Sequence, residues 1–373
     1  MKMDSKTLVI VEPNKIGRQH NTFNKEFLNL FKNYKIHFIS DIRTSKLIDE
    51  TYYQSSESIK VIDGDERKFI KKTIFELFNV INLSIKYRKN KILFLSISPQ
   101  VLLIFEFLKL FIAPKKKIYI NLHGELEGVF EKDKQKINSY GFWIMLWLKL
   151  RKSIKTTKVI LLAEYIYDSI NNAGFNFGRI NDDISIVNLP IPYQYNEKKL
   201  LNEKDNLDFL FIGQRSKKKG FTDYLSIKNK TKSNYSFYSI GQGKLIHHSK
   251  NKDIHFNFQD YMDTVSNFSV FIFPVIGSYQ ATISSAICDA IGCSQLILAY
   301  KNPMTEYFQR ILSEECVILF NSEEELVSYI DNIDLNLIRM TLQRRSEIIS
   351  KSCLSSNTNK IQAIKALNIE DYD

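Results

Sequence analysis

Ser285 and Asp289 lie four residues apart in the run FIFPVIGSYQATISSAICDAIGCSQLILA, from Phe271 to Ala299. On a helical wheel they share one face, while Ile283, Ile287 and Ile291 fall with Ala286 and Ala290 on another. The run predicts a buried strand, Val270 to Phe273, then a loop opened by Pro274 and Gly277, a helix of about three turns, and a second strand from Leu296 to Ala299. Thr282, Ser284 and Ser285 place hydroxyls and unpaired backbone N–H groups where the helix dipole is positive, which suits a phosphate. Asp289, farther along the same face, could accept hydrogen bonds from a ribose. A core helix with ordinary caps fits the same pattern.

His123, Gly124, Glu125 and Glu127 form a second concentration, directly after the apolar run Ile118 to Leu122. Open α/β sheets bind ligands outside the carboxyl ends of their strands, and a His or carboxylate there could take a proton from a hydroxyl. A helix-capping turn with exposed glutamates is the plainer reading of the same residues. The segment lacks H-E-x-x-H spacing, so zinc is not supported. At the start of the chain, Lys6 to Val11 runs into Gly17, Arg18 and His20 and then a helix around Phe23, Phe27, Leu30 and Phe31, a nucleotide-fold opening. Its loop NKIGRQH is not G-x-G-x-x-G, which argues against a dinucleotide-dependent dehydrogenase.

The order strand, Pro, polar loop, DAIGCSQLILA resembles the donor-nucleotide segment of GT-B glycosyltransferases, and of their family 4 in particular. The resemblance puts Asp289 on the second Glu of that family's E-x7-E motif, the residue that binds the ribose, and Ala281 on the first, so the motif is degenerate. Tyr279, Ser284 and Ser285 match a Y-x-x-x-x-S-(S/G) version of the loop in bacterial polysaccharide glycosyltransferases, and HGELE is similar to a recurring segment of the same enzymes. GQRSKKKG, from Gly213 to Gly220, resembles a G-R-x-x-x-K-G segment in which Arg and Lys, here Arg215 and Lys219, neutralise the diphosphate leaving group. Two cations there would offset charge that grows in the transition state, whereas a solvated Lys run is the bland alternative. The resemblance also implies that Gly17 and His20 face a cleft. The expectation is therefore an α/β GT-B chain, two Rossmann-like domains facing a central cleft, with His123 and Glu125 catalytic and Arg215, Lys219, Tyr279, Ser284, Ser285 and Asp289 binding the donor.

A chain of 373 residues exceeds the usual size of a single core. Residues 1–195 read as an acceptor-side domain, the charged stretch Asn196 to Asn206 as a linker, and 205–350 as the nucleotide-sugar domain. Residues 351–373 read as a terminal helical segment returning to the first domain. Ile92 to Ile97 reads as a strand and Val159 to Ala163 as another. Arg67 to Lys89 predicts a helix with Ile70, Ile74, Leu77, Phe78, Ile81 and Ile85 on one stripe. The apolar stretch after Lys91 approaches membrane-span length but is divided by Pro99 and interrupted by Glu106 and Lys109, which favours a strand and a helix ending at Pro114.

The formal charge of +11 favours anionic partners, although a general enrichment in Lys would give the same total. Trp143 and Trp147, leading into Arg151, Lys152 and Lys155, suggest peripheral contact with an anionic membrane, and core packing fits equally well. The four cysteines show neither C-x-x-C spacing nor a His cluster, so reduced thiols in a cytoplasmic protein are expected. MKMDSKTLVIVEP lacks a signal-peptide core. The combined expectation is a cytoplasmic, membrane-associated enzyme needing no cofactor or metal, with a nucleotide sugar and a saccharide or lipid-linked acceptor as substrates, in capsule or O-antigen type synthesis. A GT-B sugar-nucleotide epimerase and a catalytically silent GT-B binding module are the alternatives. Nucleic-acid binding lacks a recognition motif.

Overall fold

The computed structural model describes residues 7–17, 20–62, 69–112, 117–132, 134–137, 139–151, 156–192, 207–241, 243–254 and 260–369. Arg18, Lys152, Lys155 and the expected linker 196–206 lie outside the described residues. The chain divides into two compact units. One is Met1–Pro190 with Ala281–Ile283 and Ser356–Asp373; the other is Ile191–Gln280 with Ser284–Ser355.

The first unit is built on β1 (Leu8–Val11), β2 (Ile36–Ser40), β3 (Ser55–Ser58), β4 (Lys91–Phe94), β5 (Ile118–Leu122), β6 (Lys158–Leu161) and β7 (Ile184–Ile186). They form one sheet in the order β3-β2-β1-β4-β5-β6-β7, with each adjacent pair parallel. Runs such as LVIV and IYINL are buried at every position, as a sheet covered on both faces requires. The polar β3, SSES, gives no such signal and is an edge strand. From β1 the chain moves to β2 on one side, and it later returns to β4 on the other. The crevice at the carboxyl ends of β1 and β4 is therefore a topological switch point.

The second unit holds β8 (Asp208–Ile212), β9 (Ser236–Gly241), β10 (Lys244–His247), β11 (Lys252–Ile254), β12 (Val270–Phe273), β13 (Leu296–Tyr300) and β14 (Val317–Phe320). Their order is β11-β10-β9-β8-β12-β13-β14, and the switch point lies between β8 and β12. β9, β10 and β11 pair antiparallel, an edge meander that simple helix-strand alternation did not predict; Ile254 closes β11. Phe209, Phe211, Tyr224, Ile227 and Phe237 pack one face of this sheet. Gly220, at φ 77°, shows why a glycine ends the basic loop. A Cβ there would stand 2.2 Å from the Pro274 carbonyl oxygen, so the loop after β8 packs backbone to backbone on the loop after β12.

The helix expected from Arg67 to Lys89 spans Phe69–Lys86, and its apolar stripe faces outward: Ile70, Ile74, Phe78 and Ile85 are exposed while Glu76, Val80, Leu83 and Ser84 are buried. Of the aromatic-basic cluster expected at a membrane, Trp143 is half-buried, Trp147 and Arg151 are buried, and Lys152 and Lys155 lie outside the described residues. Trp147 and Arg151 are each 1% exposed, the guanidinium lies 5.0 Å over the Trp147 ring, and Arg151 Nη1 donates to Glu106 Oε1 at 2.9 Å. Among the described residues no helix is long and apolar enough to cross a membrane.

Candidate functional site

In the first unit the polar residues gather beyond the carboxyl ends of β1, β4 and β5. Glu12, immediately after β1, is fully buried and accepts hydrogen bonds from Ser96 Oγ and, at 3.4 Å, from the Asn14 backbone N–H. His20 adopts φ 58° at the N-cap of the Asn21–Asn29 helix. Its Nδ1 lies 3.8 Å from Glu12 Oε2, and neither atom has a hydrogen-bond partner among the described residues. The His20 ring meets that of His123 edge to face at 4.7 Å, and Phe23 lies 4.8 Å from His123 on another side. Gly17 adopts φ 61°, the left-handed region that glycine enters without strain.

The HGELE segment divides its carboxylates. Glu125 Oε2 accepts the Gly124 N–H at 3.0 Å and so caps its own turn. Glu127 Oε2 instead accepts the Ala281 N–H at 2.7 Å, and the Thr282 hydroxyl donates to the His123 carbonyl at 2.8 Å. Ala281, the position without a motif glutamate, thus has a carboxylate on its backbone. The sequence held both residues but not their proximity, which spans 154 positions.

In the second unit the expected donor-binding residues flank the switch point between β8 and β12. Lys219 Nζ donates to Tyr279 Oη at 2.8 Å, linking the loop after β8 to the loop after β12, where Tyr279 sits at φ 63°. Arg215 is fixed by its Nε donating to Ser239 Oγ at 3.0 Å and its Nη2 donating to the Lys244 carbonyl at 2.9 Å. Ser239 Oγ also lies 2.8 Å from His248 Nε2, and burial together with the Arg215 charge pushes His248 down to about 4. A neutral His248 can accept the Ser239 proton while Ser239 accepts from Arg215, so the three side chains hold one another in place. Neither Ser239 nor His248 carried a sequence signal.

The helix after β12 spans Ser285–Gly292, with Ser284 at its N-cap. It is shorter than expected because Ala281 to Ile283 precede it in non-helical backbone. Ser285 is exposed, but Asp289 is not: it is 6% exposed, and its Oδ2 accepts the Tyr261 hydroxyl at 2.8 Å. Burial pushes Tyr261 well above its ordinary value, so it stays a donor to the carboxylate. The face expected to be open is therefore covered at Asp289, because the Tyr261–Val265 helix packs there. Among the described residues no group of three or more His, Cys, Asp or Glu is placed to hold a metal ion.

No protein-family profile and no curated protein matches the sequence. Solved structures match over nearly the whole chain. Anabaena HepE, in complex with UDP and glucose, aligns with 12% identity over 98% of this chain and 99% of its own, at a TM-score of 0.64. WaaG, a glycosyltransferase involved in lipopolysaccharide biosynthesis, aligns with 11% identity over 96% and 99%, at a TM-score of 0.61. The sucrose-phosphate synthase of Thermosynechococcus elongatus aligns with 12% identity over 96% and 97%, at a TM-score of 0.63. With two mainly parallel seven-stranded sheets and these full-length matches, the chain has the α/β GT-B fold.

Proposed function

We propose that this chain is a glycosyltransferase that moves a sugar from a nucleotide-sugar donor to a polysaccharide or lipid-linked saccharide, in the synthesis of a cell-surface glycan. The observation that carries the reading is the arrangement in the second unit: two anchored cations, Arg215 and Lys219, follow β8 at the switch point, and Lys219 bonds Tyr279 of the loop after β12. Such a site suits a diphosphate, with the cations offsetting charge on the leaving group and Asp289 holding the ribose. In this reading the charge on the leaving group needs no metal. The donor class is carried over from HepE, whose structure holds UDP and glucose. His123 and His20, on the first unit, are the proton acceptors proposed for the acceptor hydroxyl, with Glu125 supporting the turn that carries His123. The proposed setting is the cytoplasm, at the inner face of the membrane where a lipid-linked acceptor is found.

The test is incubation of the full chain with UDP-, GDP- and ADP-sugars, following nucleoside diphosphate release and the configuration of the donor sugar. The expected result is release from one donor class that accelerates with a saccharide acceptor. Replacing Arg215 and Lys219 by Ala should weaken nucleoside diphosphate binding far more than nucleoside binding. Donor epimerisation, or donor binding without any turnover, would replace this reading with an epimerase or a silent module.

A further inference from the structure

Two neighbouring helices of the first unit, Phe69–Lys86 and Pro99–Ile112, are amphipathic the wrong way round for a protein that meets only water. The first buries its only carboxylate, Glu76, and exposes Ile70, Ile74, Phe78 and Ile85. The second buries both its charges, Glu106 and Lys109, and exposes Phe107, Leu110, Phe111 and Ile112, with Phe111 84% exposed. The inward charges are used: Glu76 accepts from Ser98 Oγ at 2.6 Å and from the Ser98 N–H at 2.7 Å, and Glu106 pairs with Arg151. A hydrogen bond from Gln100 Nε2 to Thr73 Oγ1 at 3.2 Å fixes the two helices side by side. At equal rise per residue Ile85 then lies level with Ile112, and the two outward stripes run alongside each other. A contiguous exposed apolar surface of this kind marks an interaction site.

Charge identifies the occupant. Together with the adjoining Tyr140–Arg151 helix, these helices contain two acidic residues, Glu76 and Glu106, and both are buried. Their exposed charges are Lys71, Lys86 and Lys149, and Arg88 and Lys89 follow the first helix, also exposed. Lys86 is paired with Glu57 of β3, at the rim. A second copy of this chain would bring the same cations against these and supply no carboxylate from the face. An anionic bilayer supplies both an apolar layer for Ile, Leu and Phe and negative headgroups for the lysines.

We infer that the outer face of the Phe69–Lys86 and Pro99–Ile112 helices docks on an anionic lipid bilayer. The helices lie on the surface, since neither is long and apolar enough to cross it. The inference deepens the membrane-side setting proposed above and moves the contact away from Trp147 and Arg151, which are buried.

The experiment is co-sedimentation of the full chain with phosphatidylcholine vesicles, with and without phosphatidylglycerol, in the absence of donor and acceptor. Binding should require phosphatidylglycerol and weaken as salt rises, because exposed charges are screened. Replacing Ile74, Phe78 and Phe111 by Ser removes exposed side chains only, so the thermal midpoint should hold while vesicle affinity falls at least tenfold. Lys71→Glu with Lys149→Glu should lower affinity for the anionic vesicles alone. Three results would overturn the inference: no vesicle binding by wild type, equal binding by the Ser variant, or a concentration-dependent dimer that the Ser substitutions dissolve. Because no sugar nucleotide is present, failure here leaves sugar transfer standing, and failure of sugar transfer leaves this result intact.

Discussion

His20 Nδ1 stands 3.8 Å from Glu12 Oε2, a carboxylate oxygen removed from solvent and without a hydrogen-bond partner among the described residues. If His20 takes the acceptor proton, Glu12 steadies the imidazolium that results. His20→Ala should then lower kcat by about 100-fold or more, within the range for positioned general bases, with donor KM little changed. Glu12→Gln should lower kcat by a smaller factor, again with donor KM little changed. Equal effects of both variants on donor KM would assign the pair to binding instead.

Asp289 and Tyr261 act as a unit in the second prediction. Asp289→Asn keeps the size and removes the charge, and nucleotide affinity should drop by about 1.5 to 3 kcal/mol, as for a hydrogen bond to a charged group. A 2′,3′-dideoxy nucleotide should bind wild type and variant nearly alike. Tyr261→Phe removes only the partner at 2.8 Å and should cost less, and the two substitutions together should cost less than their sum. Isothermal titration of wild type and the three variants measures all four terms.

His248 gives a pH signature. Burial first, then the charges of Arg215 and Lys228, hold it at about 4 against an ordinary 6.5, so the native state binds its proton less readily than the unfolded state does. Stability from this group is full above 6.5 and is lost as pH falls from there to about 4. Because the ring is half-buried, solvent screening reduces the contribution to about 1 to 2 kcal/mol. Thermal midpoints of wild type should fall across this window more steeply than those of His248→Gln. Parallel curves would show that His248 titrates normally.

The Glu106–Arg151 pair is expected to be costly to break on one side only. Both side chains are almost fully buried, and Thr157 donates a further hydrogen bond to Glu106 Oε1. Arg151→Met should destabilise the first unit by about 3 to 5 kcal/mol because it strands a buried carboxylate. Arg151→Met with Glu106→Leu should recover most of that loss. Chemical denaturation of the three proteins decides the point, and a single variant as stable as wild type would show the pair to be dispensable.

The covered parallel strands were legible in the sequence because such a strand must be apolar on both faces, which leaves runs such as IYINL and VFIF, whereas the polar β3 and the antiparallel β10 left no such run. The glycine and basic loop at Gly213 to Gly220, the HGELE turn and the helix of Asp289 were legible for a related reason. Loops at strand ends carry their chemistry in short contiguous strings. What the sequence left undetermined depended on partners far along the chain. Periodicity found the stripe of Ile70, Ile74 and Phe78 but is symmetric between inside and outside. Its direction was decided by Ser98 taking Glu76 inward. Likewise His123 became the neighbour of His20, Glu127 the partner of Ala281, and Tyr261 the cover of Asp289 only through sheet order and helix packing. Local pattern encodes which residues want burial or a turn, whereas which polar groups meet is set by tertiary contacts between segments many residues apart.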